Sequence, residues 1–329
     1  MSFDLDDFYV WDFWTAYDAT AGRTHLFFLH APRSLGDPEL RHRSARVGHA
    51  VSTDLRTWER LPDPLPEPCE GLDDLATWTG CTVRGDDAWW LFTTGLSDAD
   101  DGLVQRIGSA RSTDLVTWER TPLLLEADPA HYQRSSPSWP EEAWRDPWAV
   151  RDDAGHWHLY VTARDAAGGP GAGVVGHATS TDLVAWKVGP PLSEPTGVFE
   201  WLEVVQVVEV EGRWVLVFSC LSEQMAGAQP GEGGVWSVAV DGPGASVDVL
   251  SAVRLLDERH YVGKVVEHAG TALLMAFRHQ DPAGAFVGGL AGPARVRWRE
   301  DGRGLELDPG DRAGAESFEQ GIVAGGATT

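Results

Sequence analysis

Five stretches of the chain are apolar, aromatic and rich in β-branched residues: THLFFLHAP (24–32), AWWLFTTG (88–95), HWHLYVTAR (156–164), RWVLVFSC (213–220) and ALLMAFRH (272–279). Most follow a turn such as DATAG, RDDAG or EHAG, and they recur every 57 to 68 residues or so. Short apolar runs bounded by Gly and Asp clusters predict strands. A second pattern is laid over the first: GHAVSTDLRTWERL (48–61), GSARSTDLVTWERT (108–121) and GHATSTDLVAWKVG (176–189). Each copy reads as the end of one strand, a turn and the start of the next. Ser-Thr-Asp supplies side chains that hydrogen-bond nearby backbone, and Leu and Trp re-enter an apolar layer. The serines lie 60 and 68 residues apart, too far for one hairpin and about right for four short strands. Repetition at this period marks a repeat architecture. Five copies of a four-stranded unit predict an all-β fold, a five-bladed β-propeller. A β-sandwich would use similar strands but has no reason to repeat a sequence at this period. The STDL turns are therefore read as structural.

Length agrees, since five blades of about 60 residues use nearly all of the 329-residue chain. One catalytic propeller domain is expected over 1–312. The Gly- and Ala-rich tail, 313–329, is expected to be poorly ordered. The net charge of −24 argues against nucleic acid and anionic membranes, which need basic patches, and suits a small neutral partner. No run of 18 apolar residues occurs, and the acidic start MSFDLDDFYV lacks the features of a signal peptide, so a cytoplasmic location is expected. Three cysteines give neither a disulfide framework nor a paired metal spacing. Only two lysines, Lys187 and Lys264, stand among the 26 basic residues, so each merits a look.

A propeller carries its site at one end of the central channel, so carboxylates flanked by aromatics at blade starts are the candidates. Asp12 sits in FYVWDFW (8–14) between Trp11 and Trp14. A carboxylate there is costly unless paired, although an Asp capping a turn is the plain alternative. Arg145-Asp146-Pro147 opens the third blade in AWRDPWAVRDD (143–153). The proline favours an extended Asp146, the arginine offers a planar donor fork, and an ordinary Asp-Pro turn is the alternative. Glu203 lies in FEWLEVVQVVEVEG (199–212), an alternating strand that opens the fourth blade. A desolvated carboxyl on an inner strand suits a general acid. A surface Glu is the alternative reading, Glu200 is the competing carboxylate, and Glu209 and Glu211 look solvated.

Asp, Asp and Glu in this order resemble the five-bladed propeller glycoside hydrolases, most closely the clan of families 32 and 68 with its invertases, levanases and levansucrases. VWDFW resembles the VWDSW that carries the levansucrase nucleophile. RDPWAVRD is similar to RDPxxVxD, whose Asp stabilises the transition state. WLEVVQV resembles the family 32 WECPDxF, whose Glu is the acid/base. WTGC (78–81) is similar to WSGS, a substrate-contacting turn, and YVGKVV (261–266) to YASKTF. The resemblance runs from residue 8 to about 280. It departs at Val204-Val205-Gln206, where family 32 has Cys-Pro-Asp, and no stretch is long enough for that family's C-terminal β-sandwich.

The resemblance implies a retaining β-fructofuranosidase, with fructosyl transfer as a variant of the same chemistry. Asp12 is the implied nucleophile, Asp146 the transition-state stabiliser and Glu203 the acid/base. Trp11, Trp14, Trp78, Thr79, Arg145, Gln206, Tyr261 and Lys264 are the implied substrate contacts, with no metal or organic cofactor needed. The segments 8–14, 78–81, 143–148, 199–206 and 260–264 should converge on one funnel, with the STDL turns away from it. Two rivals stay open at this point. One is an inverting arabinofuranosidase or xylosidase similar to family 43, with Asp12 as general base. The other is a non-catalytic sugar-binding propeller.

Overall fold

Each apolar run becomes the second strand of its own four-stranded antiparallel sheet in the computed structural model, which describes residues 3–136 and 139–319. The first blade is β1 (Phe8–Asp18), β2 (Arg23–Pro32), β3 (Arg46–Ser52) and β4 (Glu59–Leu61), and the second is β5 (Ala76–Arg84), β6 (Trp89–Leu96), β7 (Gln105–Ser112) and β8 (Glu119–Leu125). The third is β9 (Trp144–Arg151), β10 (Trp157–Arg164), β11 (Gly173–Ser180) and β12 (Lys187–Gly189). The fourth is β13 (Glu203–Val210), β14 (Arg213–Cys220), β15 (Gly234–Val240) and β16 (Val253–Asp257). The fifth is β17 (His260–His268), β18 (Thr271–Arg278), β19 (Leu290–Trp298) and β20 (Leu305–Leu307). The first strands pack in a closed ring, β1 on β5, β5 on β9, β9 on β13, β13 on β17 and β17 back on β1. This is the five-bladed propeller that the repeats predict. Its apolar core is divided among the interfaces between neighbouring blades.

The three STDL motifs join the third strand of a blade to its fourth. In the first, Ser52 Oγ accepts from the Asp54 and Leu55 amides at 3.1 and 2.8 Å, and Asp54 Oδ1 accepts from the Arg56 and Thr57 amides at 2.8 and 2.7 Å. Leu55, Leu115 and Leu183 all take left-handed φ values, 57°, 63° and 64°. A leucine pays for such a backbone with strain of about 1 kcal/mol. Full burial of its side chain and the Ser/Asp hydrogen bonds offset that strain. No residue of these turns lines the funnel described below.

The ring closes without strand exchange. Phe3 pairs with Leu290 at the start of β19, whose amide donates to the Phe3 carbonyl at 2.8 Å, and the Phe3 ring packs edge-on against Phe28 at 4.8 Å. Asp4 accepts from Arg278 Nη2 at 3.1 Å. Residues 3 and 4 thus clip the first blade to the fifth. Phe3→Ala is expected to cost about 2–3 kcal/mol in urea unfolding. A loss under about 0.5 kcal/mol would mean that the ring closes without this clip.

The expected disordered tail is partly corrected. Residues Arg312–Glu319 form a helix, α1, that packs on β19. Its Phe318 is buried with its ring 5.1 Å from that of His260, so this stretch belongs to the propeller. The rest of the tail, 320–329, lies outside the described residues. Among the described residues no helix is long and apolar enough to cross a membrane, and none of the three cysteines is paired.

Candidate active site

A repeated irregularity builds the site. Every first strand holds one extra residue relative to its partner: at Asp12 in β1, Thr79 in β5, 146–147 in β9, 204–205 in β13 and 262–263 in β17. Such a β-bulge bends the strand and re-aims a side chain. Here five bulges ring the channel at one level. Asp146, Val204 and Val262 adopt left-handed φ of 58°, 52° and 51°. Asp146 is therefore not extended, as the following proline led us to expect. The Thr94 hydroxyl accepts its amide at 2.9 Å and the Thr162 hydroxyl donates to its Oδ2 at 2.9 Å, which fixes the strained conformation. Strain of this kind gathers where a side chain must be aimed.

Above the bulges opens a funnel of about 510 Å³. Asp12, Asp146, Glu203, Trp11, Trp78, Thr79, Arg145 and Tyr261 line it, as the sequence led us to expect. Three expected contacts do not. Trp14 is buried between the first two blades, its Nε1 donating to Thr82 Oγ1 at 3.0 Å and its ring stacked on Phe27. Gln206 clamps two blades together: its Nε2 donates to the Val265 carbonyl at 2.9 Å and its Oε1 accepts the Val265 amide at 2.7 Å. Lys264 lies under the site, donating to the Val204 and Val205 carbonyls at 3.1 and 3.2 Å with its ammonium over Trp148. It holds the bulge beside Glu203 in place. All three stand two residues past a bulge residue, and all three are buried.

Glu203 and Glu200 differ in their partners and in their place relative to the funnel. Glu200 does not line the funnel; it takes Arg164 on Oε2 and the Gly171 amide on Oε1 at 2.9 Å. Glu203 faces the funnel and is gripped on both oxygens, by Arg145 Nη2 at 2.6 Å on Oε1 and by the Tyr261 hydroxyl at 2.5 Å on Oε2. Arg145 also donates to Glu141 and Gln105, each at 3.2 Å, and its Nε lies 3.6 Å from Asp146. Burial opposes its charge, but Glu203, Glu141 and Asp146 outweigh burial and hold the guanidinium above its usual range. Its planar face rests on Trp201, 4.6 Å away, and Arg164 stacks between Trp201 and Trp139.

Asp12 accepts the Thr79 hydroxyl on Oδ2. Burial at the foot of the funnel, then Asp146, push its carboxyl up to about 7; Glu203 adds to this, while Thr79 and Arg41 oppose it. Burial likewise raises Asp146 to about 6, against the pull of Arg145. Two neighbouring buried carboxyls do not ionise independently, and their titration belongs to the pair. The same crowding makes the floor a strong attractor for positive charge.

Sequence reasoning missed the mouth. The loop between β2 and β3 carries a 3₁₀ turn, Pro38–Ser44, that brings Glu39, Arg41 and His42 over the funnel. His279 and Phe286, from the loop after β18, face them. The connection of 13 residues between β2 and β3 is long for a hairpin, and that length was the one available signal. Among the described residues no group of three or more His, Cys, Asp or Glu is placed to hold a metal ion.

The sequence profile of the glycosyl hydrolases family 32 N-terminal domain matches residues 17–233, which include Asp146 and Glu203 and start just past Asp12. A levanase from Bacillus sp. (strain L7) is 32% identical over 200 residues, covering 52% of this chain and 19% of that protein. A sucrose-6-phosphate hydrolase from Zymomonas mobilis is 29% identical over 217 residues, covering 60% of this chain and 38% of that protein. The chain thus spans well under half the length of these curated relatives. Among solved structures, an inulosucrase from Halalkalicoccus jeotgali bound to kestose superposes with a TM-score of 0.73 at 22% identity, over 93% of this chain and 89% of that one. Bacillus subtilis levansucrase superposes at 0.69 and 16% identity, over 93% and 87%. At these identities the likeness is one of fold.

Proposed function

Because the chain belongs to the glycosyl hydrolases family 32 N-terminal domain family, we propose that it cleaves β-fructofuranosides with retention, passing the fructosyl group to water or to a second sugar. One observation carries this reading. Bulges at Asp12 and at Asp146, and one immediately after Glu203, accompany the three carboxyl groups that meet in one funnel from blades one, three and four.

Asp12 attacks the anomeric carbon from the foot of the funnel, and the glycosidic C–O bond breaks. Glu203, gripped by Arg145 and Tyr261, delivers its proton to the departing oxygen. The oxocarbenium-like transition state gathers positive charge among these carboxyl groups, in a site whose dipoles are already fixed. Asp146, locked by Thr94 and Thr162, accepts hydrogen bonds from ring hydroxyls that tighten as that charge develops. In the second half Glu203 takes the proton of the incoming hydroxyl, which displaces Asp12 and restores the configuration. Trp11 and Trp78 offer apolar faces to the sugar.

The names of the relatives support the substrate class, since levanase and sucrose-6-phosphate hydrolase both denote cleavage of fructosides. The test is a panel of sucrose, inulin, levan and nitrophenyl furanosides, with the first-formed anomer followed by NMR. Release of β-fructose is the expected result. An inverted first product, or cleavage confined to arabinosides and xylosides, would overturn the proposal.

A further inference from the structure

The mouth of the funnel has more to say than its floor. Seven carboxyl groups line the cavity against two guanidinium groups, Arg41 and Arg145. Arg145 is committed to Glu203 and Glu141. Arg41 is buried, with Phe286 4.0 Å from its guanidinium, and its Nη1 donates to Glu39 Oε1 at 2.8 Å and to the Pro38 carbonyl at 2.9 Å. Glu39 therefore neutralises Arg41, the other guanidinium among the described lining residues. The histidines add no charge: burial and Arg41 push His42 down to about 4, and burial lowers His279. Glu223 stands exposed on the far rim.

We infer that this funnel takes uncharged fructosides and turns away phosphorylated ones, with Glu39, through its ion pair to Arg41, as the specificity-determining residue of the mouth. The inference rests on the fructoside reading and deepens it. With the fructosyl ring at the floor, the sugar joined to its anomeric carbon extends past Glu203 to the mouth, and a phosphate on that sugar's primary carbon arrives among Glu39, Glu141 and Glu223. Phosphate recognition calls for free arginine forks or lysines. Here both arginines carry carboxylates, and neither of the two lysines lines the cavity. A dianion about 7 Å from one uncompensated carboxylate, even at the dielectric constant of water, loses on the order of tenfold in affinity. Several such carboxylates, and a chain charge of −24, multiply the effect. Specificity built on repulsion leaves neutral sugars untouched.

The experiment compares kcat/KM for sucrose, sucrose phosphorylated on the glucosyl C6, and sucrose acetylated at that oxygen, using the full chain and the variants Glu39→Gln and Glu223→Gln. The acetate controls for size. The wild type is expected to cleave sucrose and the acetate within about tenfold of each other and the phosphate at least ~100-fold more slowly. That gap should narrow in 1 M salt, where the screening length falls to about 3 Å. Glu39→Gln keeps the acceptor for Arg41 but removes the charge, so the phosphate-to-sucrose ratio should rise about tenfold while the acetate-to-sucrose ratio stays put. Glu223→Gln, at an exposed position in a separate 3₁₀ turn, Ser222–Gln224, should raise the same ratio by less. Wild-type cleavage of the phosphate as fast as sucrose would overturn the inference and leave the fructosidase reading standing. An unmoved ratio in Glu39→Gln would remove Glu39 from it. Failure to cleave any of the three sugars would sink the fructosidase reading itself, and the inference with it.

Discussion

Asp12→Asn is expected to lower kcat by about four to six orders of magnitude, since the nucleophile we propose Asp12 to be acts through the transition state. Binding of a fructoside should survive, because asparagine has nearly the same size and Thr79 Oγ1 can still donate to its amide oxygen. Turnover within about tenfold of wild type would remove Asp12 from the mechanism.

The same variant should be more stable than the wild type at pH 8. The Asp12 carboxyl is raised from 3.8 to about 7 in the folded chain, chiefly by burial. The folded state therefore disfavours the charged form. That penalty is fully present above pH 7, shrinks as pH falls toward 4 and is absent below it. The uncharged amide of the variant escapes it, with an expected gain of about 1–3 kcal/mol at pH 8, discounted for the water that the open funnel admits. Comparing melting temperatures at pH 8 and pH 4 tests the sign, because the gain should vanish at the lower pH. For catalysis the sign is opposite. As the proposed nucleophile Asp12 must be ionised to attack, so wild-type kcat/KM should fall as pH drops through about 7. Asp146→Asn removes a neighbouring negative charge and should move that acid limb to lower pH in whatever activity remains.

The blades were legible because their signals are local and repeated. Apolar runs alternate with turns, and Ser-Thr-Asp-Leu brings its own hydrogen bonds. Asp12, Asp146 and Glu203 stood out for a related reason, since a carboxylate in an apolar strand has to be explained, and all three line the funnel. What strand alternation could not show was depth. Trp14, Gln206 and Lys264 stand two positions past a bulge residue, yet each is buried against neighbouring strands and not in the funnel. A bulge shifts register by one residue and leaves little trace in an apolar sequence. The roles of Gln206 and Lys264 are bonds to backbone carbonyls and amides of other strands, which no one-dimensional pattern displays. The mouth was hidden for another reason. Glu39, Arg41, His279 and Phe286 sit in two loops more than two hundred residues apart, joined only by the closing of the ring between blades one and five.

Glu203→Ala decides between an enzyme and a sugar-binding propeller. Arg145 keeps Glu141 and Asp146 as neighbours when Glu203 is lost, and Tyr261 keeps Gln224 at 3.3 Å, so the site should stay assembled. Glu203→Gln, which preserves the acceptor for Arg145, serves as the control for folding. Sucrose and fructans have poor leaving groups and need the proton, so their turnover should fall about 10²–10⁴-fold. An activated aryl fructoside needs little protonation. Its first step should survive nearly intact, and the fructosyl-enzyme should accumulate as a burst of aryl alcohol followed by slow release. Azide attacks without a general base, so adding it should restore turnover and yield a fructosyl azide of retained configuration. An inverted azide would mean that no covalent intermediate forms and that Asp12 is a base for water. If all substrates lose equally and azide does nothing, Glu203 is a binding residue. Glu200 cannot then replace it, because that carboxylate is held by Arg164 outside the funnel. The acid would have to come from another carboxyl group of the mouth, Glu39, Glu141 or Glu223.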